Sequence, residues 1–462
     1  MAEQSFYGFL PLNKQEWIAK ALKDTRLNNF DDLVSHNSIE DISIPPVLLS
    51  EDVEKWDWLR AYDIGKREDK DKRGWDNISW VDLDQDDLLT FQSVLSFGIE
   101  GVVMEWSGDG DLEELLSDIH PENISIWIKP KKDPTMVLES FLKWFHVKGL
   151  SPSDLKGGFL WDFLLLFFEK DVDQFKLKEE TVKVCQMTKE FPFFRGLCLD
   201  FSIYHNAGGN AIQELSFGLS ALIELMDFMT EKGNAPRDIF SNLFLLTAVG
   251  GDYFMNISKL KVLRVMVSQL AKLYGLDWSS DAIYFFTTSS VWTKDIMEPN
   301  NNKVRNTAEG LMAIQGGCNA LLILPHDSGS AKVFERRISS NVSNLIKYEG
   351  HFDKVNDLTA GSYFSLFLMG TVYDKVEEAL KEIESNGGWV SLVAKGTIQS
   401  QVKRVRLLRI SRMISGEDIV VGLNKYIQEE ISESEFDFEE TAQQLKAVSR
   451  SLIFYNSSKK GK

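Results

Sequence analysis

The sequence predicts an α/β chain whose length suits a (β/α)8 TIM barrel. From Trp75 onward, short apolar runs alternate with longer segments of helical period. Strands that alternate with helices pair in parallel. The 462 residues, 44% of them apolar, suffice for one large domain or two ordinary ones, with no need for disulfide or metal staples. Periodicity alone leaves an open doubly wound sheet as a competitor.

Residues 1–74 read as an N-terminal arm and a charged loop. Phe6, Tyr7, Phe9, Leu10 and Trp17 are many apolar groups for a terminus, and they suit either a helix packed on its own barrel or docking on a partner. Residues 31–74 read as irregular, and Lys66 to Arg73 is charged throughout, as a solvated loop would be. The barrel is expected over 75–426. Its candidate strands are Gly101–Trp106, Ile124–Ile128, Leu197–Phe201, Ala282–Thr287 and Ala320–Leu324. Between them lie helical segments such as 134–147, 178–190, 211–231, 257–274 and 304–315. In 211–231, Ile212, Leu215, Leu219, Leu222 and Met226 recur at three- and four-residue spacing and form one buried stripe. Residues 427–462 read as an acidic tail with a frayed end.

The net charge of −18, without a long basic stripe, argues against nucleic acid and anionic membranes as partners. Cys185, Cys198 and Cys318 have neither metal-site nor disulfide-framework spacing. Gly157–Phe168, the most apolar run, is too short to span a bilayer and contains Asp162. No secretory signal is visible, so a cytoplasmic location is expected. Trp106-Ser107-Gly108-Asp109-Gly110 reads as a turn, and Asp82, Asp84, Asp86 and Asp87 as a helix start. The basic run Lys403, Arg404, Arg406, Arg409, Arg412 reads as a solvated face.

The most informative window runs from Thr287 to Asp327. It contains Trp292-Thr293-Lys294-Asp295, then Glu298-Pro299-Asn300-Asn301-Asn302-Lys303-Val304-Arg305 and Gly316-Gly317-Cys318-Asn319-Ala320-Leu321-Leu322. Further along come Ser330-Ala331-Lys332, Asp357-Leu358-Thr359-Ala360-Gly361, Asn386-Gly387-Gly388 and Val421-Gly422-Leu423-Asn424-Lys425-Tyr426; upstream lie Ala207-Gly208 and Gln213-Glu214-Leu215. In this order and spacing the chain resembles the methylmalonyl-CoA mutase family over most of 75–426. The resemblance implies a TIM barrel and adenosylcobalamin-dependent rearrangement of a CoA thioester.

The frame of those motifs is kept, but many of the polar residues that the resemblance assigns to substrate are not. Anchored on Ala207-Gly208, the family's catalytic His falls on Ile203, which can neither donate a hydrogen bond nor titrate. A two-residue gap would instead align the Tyr204-His205 pair, and His205 itself reads as a structural histidine. The family's Thr-Ile-Gln-Asn-Asp becomes Gly158-Phe159-Leu160-Trp161-Asp162. Its substrate arginine aligns with Asn242, or with Arg237 across a five-residue gap. Its Gln-Ser-Leu-His-Thr-Asn becomes Asn319-Ala320-Leu321-Leu322-Ile323-Leu324. Such replacements at one barrel mouth imply a filled or closed pocket, since unused polar groups are costly to bury. The family's cobalt-ligating Asp-x-His-x-x-Gly is matched by none of the six histidines, so no cobalamin-binding domain is expected in this chain.

The resemblance therefore implies a non-catalytic small subunit. The partner would be a homologous large catalytic subunit that holds adenosylcobalamin and interconverts methylmalonyl-CoA and succinyl-CoA. The degenerate positions are Ile203, Asn242, Leu160, Trp161, Asn319, Leu322 and Leu324, with no cofactor or metal ligand. Two alternatives stay open: an active acyl-CoA mutase barrel using a separate cobalamin-binding chain, and a stand-alone CoA-ester binding protein.

Overall fold

The computed structural model describes residues 13–62, 74–110, 112–116, 119–169, 172–327, 332–427 and 438–460, with side chains in the last stretch to 457. A short antiparallel pair, β1 (Ser35–Asn37) and β2 (Ile42–Ile44), precedes the main sheet. The main sheet comprises β3 (Asp76–Asp82), β4 (Gly101–Trp106), β5 (Ser125–Pro130), β6 (Lys156–Phe159), β7 (Phe193–Arg195), β8 (Leu197–Asp200), β9 (Leu243–Val249), β10 (Tyr284–Ser289) and β11 (Ala320–Leu322). All neighbours in it are parallel, in the order β7-β6-β5-β4-β3-β11-β10-β9-β8.

The two ends of that order are one strand bent at Gly196, so the sheet closes on itself as an eight-stranded barrel. The bend is built in. A Cβ on Gly196 would lie 2.2 Å from Thr188 Oγ1, and the Gly196 amide donates to Asn242 Oδ1 at 2.5 Å. Each strand is followed by a helix, among them Leu88–Leu95, Pro134–Val147, Gln174–Thr188, Ala211–Glu231, Tyr253–Leu273, Asn301–Gln315 and Val333–Tyr348. The doubly wound alternative is thereby excluded. Helix starts follow sequence chemistry: Asp133 caps with Pro134 in the first turn, and Asn210 forms a capping box with Gln213.

Period-two alternation divides the strand residues between two cores. Val102, Met104, Ile126, Ile128, Leu199, Leu245, Phe285 and Leu321 point outward and are buried against the helices. Ile78, Val103, Trp127, Cys198, Phe244, Phe286, Ala320 and Leu322 form the inner cluster. Trp127 fills the axis. Its ring lies edge-on to Phe244 and Phe286, at 5.0 and 4.8 Å between centroids. Gly158 makes room for it: a Cβ there would come within 2.9 Å of the indole.

Three expectations outside the barrel need correction. Residues 31–62 are not a loose loop. Trp56 and Leu59 are buried, and Gly370 of helix Tyr363–Ser385 lacks a Cβ where the Trp56 indole packs. The basic run is not a solvated face: Arg406 is buried against Glu440, Arg412 bridges Glu417 and Asp418, and within the run Arg404 alone is exposed. The end of the chain also packs. Leu445 and Val448 are buried, and helix Arg450–Lys460 follows. Residues 1–12, residues 63–73 with the whole of Lys66–Arg73, and the acidic stretch 428–437 lie outside the described residues. No helix among the described residues is long and apolar enough to cross a membrane.

Candidate functional site

The C-terminal ends of the strands, where (β/α)8 barrels carry their sites, surround a cavity of about 630 Å³. Leu160, Trp161, Leu322 and Leu324, four of the degenerate positions, line it together. Trp80, Leu246 and Phe286 add apolar wall, and Ser449 reaches the rim from the end of the chain. The expectation of a filled pocket is thus half wrong. The axis is plugged by the Trp127 layer, but the space above it is open. The leucine and tryptophan side chains line this space without filling it.

The other degenerate positions do not meet there. Asn242 stands just before β9, at the opposite end of the barrel. It donates to Thr188 Oγ1 at 2.8 Å and accepts from Gly196, so it braces the bent strand. Arg237 lies on the neighbouring helix over the Trp278 ring and does not reach the cavity either. Asn319, just before β11, accepts from Arg264 Nη2 at 2.8 Å and from the Phe285 amide at 2.9 Å. Both asparagines satisfy backbone at the strand starts, a role that spacing along the chain does not reveal. Ile203, on the short helix Ser202–Asn206, is half-buried against the helical core and is not a cavity residue.

His205 sits in a buried polar network beside the mouth. Its Nε2 is 2.8 Å from Ser290 Oγ, and its Nδ1 is 3.9 Å from Glu214 Oε2. Burial and the nearby Lys259 hold its pKa well below the usual histidine range, so the ring is neutral at physiological pH. Glu309 organises the adjoining loop: it accepts from the Ser290 amide at 3.0 Å, from Lys294 Nζ at 2.7 Å and from the Thr293 hydroxyl.

The motif residues prove to be scaffold. Asn302 donates to the carbonyls of Asp295 and His326, both at 2.8 Å, and Arg305 ties Asn302 to the Val421 carbonyl. Asp357 receives Lys261 Nζ at 2.8 and 2.6 Å. Asn424 holds the turn at Gly422, whose φ is +83°. These contacts fix loops around the barrel.

Sequence reasoning missed the carboxylates at the rim. Asp162 accepts from the Leu164 amide at 2.9 Å and the Asp200 amide at 2.7 Å. Burial, with Asp200 nearby, raises its pKa to about 7; burial raises that of Asp200 to about 6. A carboxyl raised on folding stabilises below its unfolded pKa and loses that contribution as pH climbs through the folded value. Stability should therefore fall as pH rises from about 4 to about 7, by up to about 1.4 kcal/mol per pH unit and group, and level off above. Asp162→Asn should flatten that slope in urea melts across the range; an unchanged slope would contradict the assignment.

A profile of the methylmalonyl-CoA mutase family matches residues 82–453. The chain belongs to the methylmalonyl-CoA mutase family. It is 25% identical to the methylmalonyl-CoA mutase small subunit of Porphyromonas gingivalis over 452 residues, 92% of this chain and 71% of that one. To the small subunit of Streptomyces virginiae it is 24% identical over 365 residues, 76% of this chain and 58% of that one. Against the human mitochondrial methylmalonyl-CoA mutase the figures are 26% over 338 residues, 71% of this chain and 45% of the relative. Within this mutase-family barrel the matched region runs past the barrel proper and into the C-terminal segment. That segment is joined to the mouth: the Val448 amide donates to the Asn206 carbonyl and the Arg450 amide to the Trp292 carbonyl, both at 2.9 Å.

Proposed function

We propose that this chain is the small, non-catalytic subunit of a two-chain, cytoplasmic methylmalonyl-CoA mutase. Its partner is a homologous large subunit that holds adenosylcobalamin and carries out the interconversion of methylmalonyl-CoA and succinyl-CoA. One observation carries the reading: the cavity at the catalytic end of the barrel is walled by Leu160, Trp161, Leu322 and Leu324. Among the described residues, no histidine or arginine lines it. His205 is engaged with Ser290 in the buried network and is not among the described residues that line the cavity. The matches to two small subunits support the same assignment. Related subunits pair naturally through pseudo-symmetric surfaces.

Co-expression with the cognate large subunit tests the proposal. The two chains should co-elute, with an interface of more than about 1,200 Å² in total. A small subunit that stays monomeric beside its partner would end this reading. Ile203→His should remain inactive alone, even with a cobalamin-domain protein in trans, because catalytic groups act as a unit. Ile203→Ala in the complex should barely change turnover. As the side chain is half-buried, its cost should fall below the ~2–5 kcal/mol of a fully buried aliphatic. A large loss of turnover at an unchanged melting temperature would place this barrel in the reaction.

A further inference from the structure

The mouth cavity has the dimensions of a small-molecule site: about 630 Å³, against roughly 300–1,000 Å³ for ligand pockets generally. Its deep wall is apolar and largely aromatic, from Trp80, Leu246, Phe286 and Leu322. The charged side chains at the rim are already engaged. Lys129 donates to Glu105 and Lys294 to Glu309, each at 2.7 Å. Asp162 accepts from two backbone amides, and Asp200 accepts from the Ser202 amide at 2.7 Å. Among the described residues, four carboxyl side chains (Glu105, Asp162, Asp200, Asp327) and two lysines line the cavity, and no arginine does. An anionic group entering it would meet no free cation among those lysines and would lose its hydration. An apolar group would exchange water contacts for aromatic and leucine surface. The Trp127 layer closes the axis below, so a ligand must enter from the mouth, past Leu324 and Ser449.

We propose that the cavity binds an uncharged, apolar small molecule, a ligand class distinct from acidic acyl thioesters. The proposal does not depend on the subunit assignment. It is tested by titrating the full chain with N-phenyl-1-naphthylamine, a neutral dye that brightens in apolar sites. A saturable rise with one site per chain is expected, with a Kd of about 10 µM or tighter. Leu160→Trp, which narrows the cavity, and Leu324→Arg, which charges its entrance, should each weaken the dye at least about tenfold with a cooperative melt retained. Should Leu160→Trp fail to fold, Leu324→Arg decides, since Leu324 is only partly buried. Methylmalonyl-CoA in excess should leave the signal unchanged. The proposal is overturned by the absence of a saturable rise, by equal binding in the folded variants, or by displacement with methylmalonyl-CoA. That last result would assign the cavity to anionic thioesters. Co-elution with the large subunit, run on the same samples, separates a failure here from a failure of the subunit reading.

Discussion

Lys259→Ala is expected to destabilise the protein by about 3–5 kcal/mol, the cost of leaving one member of a buried ion pair alone. Lys259 lies on helix Tyr253–Leu273, and its ammonium donates to Glu214 Oε2 and to the Ala248 carbonyl, both at 2.7 Å. Both side chains are 1% exposed. Burial already raises the Glu214 pKa to about 7 despite the lysine beside it. Without Lys259 the carboxyl would be pushed higher and would protonate to escape the penalty. A carboxyl of raised pKa loses its stabilising contribution as pH rises, so the deficit should be smaller at pH 5.5 than at pH 8. Glu214→Leu combined with Lys259→Met should recover much of the loss, because two apolar groups leave no charge unpaired. Urea unfolding of the single and double variants at both pH values checks this. A single variant within about 1 kcal/mol of the parent would show that water reaches the pair.

The second large effect is expected at Trp127. Trp127→Ala should cost about 3–5 kcal/mol, as for other buried aromatics cut to alanine. The indole is fully buried at the barrel axis, its ring edge-on to Phe244 and Phe286 and tilted against Tyr284, and its Nε1 donating to Ser125 Oγ at 3.3 Å. Collapse cannot close the hole, because eight hydrogen-bonded strands hold the wall at fixed radius. Trp127→Phe keeps an aromatic body and should cost less. Thermal melts decide the energetics. Naphthylamine binding should change in Trp127→Ala, because Phe286, which lines the mouth cavity, loses the ring it packs against, and should change little in Trp127→Phe. A mild effect of the alanine variant would mean that the axis is not packed as described.

Much of the barrel was readable because its signals are local. Strands such as Gly101–Trp106 and helices such as 134–147 are bounded by caps and carry clean periodicity. β3, β6, β7 and β9 were missed for a physical reason. β9 is buried on both faces along nearly its whole length and so shows no alternation, β7 spans only three residues, and β6 contains Gly157 and Gly158 where the partner strand and Trp127 approach. The alternation of Ile78 and Trp80 in β3 was a usable signal, and it would have pointed to the cavity wall. The tail and the basic run were misread because their partners are distant in sequence: Arg406 is neutralised by Glu440, and Gln399 donates to the Gln443 carbonyl at 3.0 Å.

The site divides in the same way. The order and spacing of motifs were enough to place the chain in its family, because loop-fixing residues such as Asn302, Asp357 and Asn424 are demanded by local backbone geometry. The chain alone also gave the expectation that Leu160, Trp161, Leu322 and Leu324 stand where the resemblance puts polar residues. Which replacements share one cavity was decided only by the closed sheet. Barrel closure puts residues after β6 and β11 across a single mouth, yet sends Asn242 and Asn319 to the other end, because a position just before a strand and one just after it lie a full strand length apart.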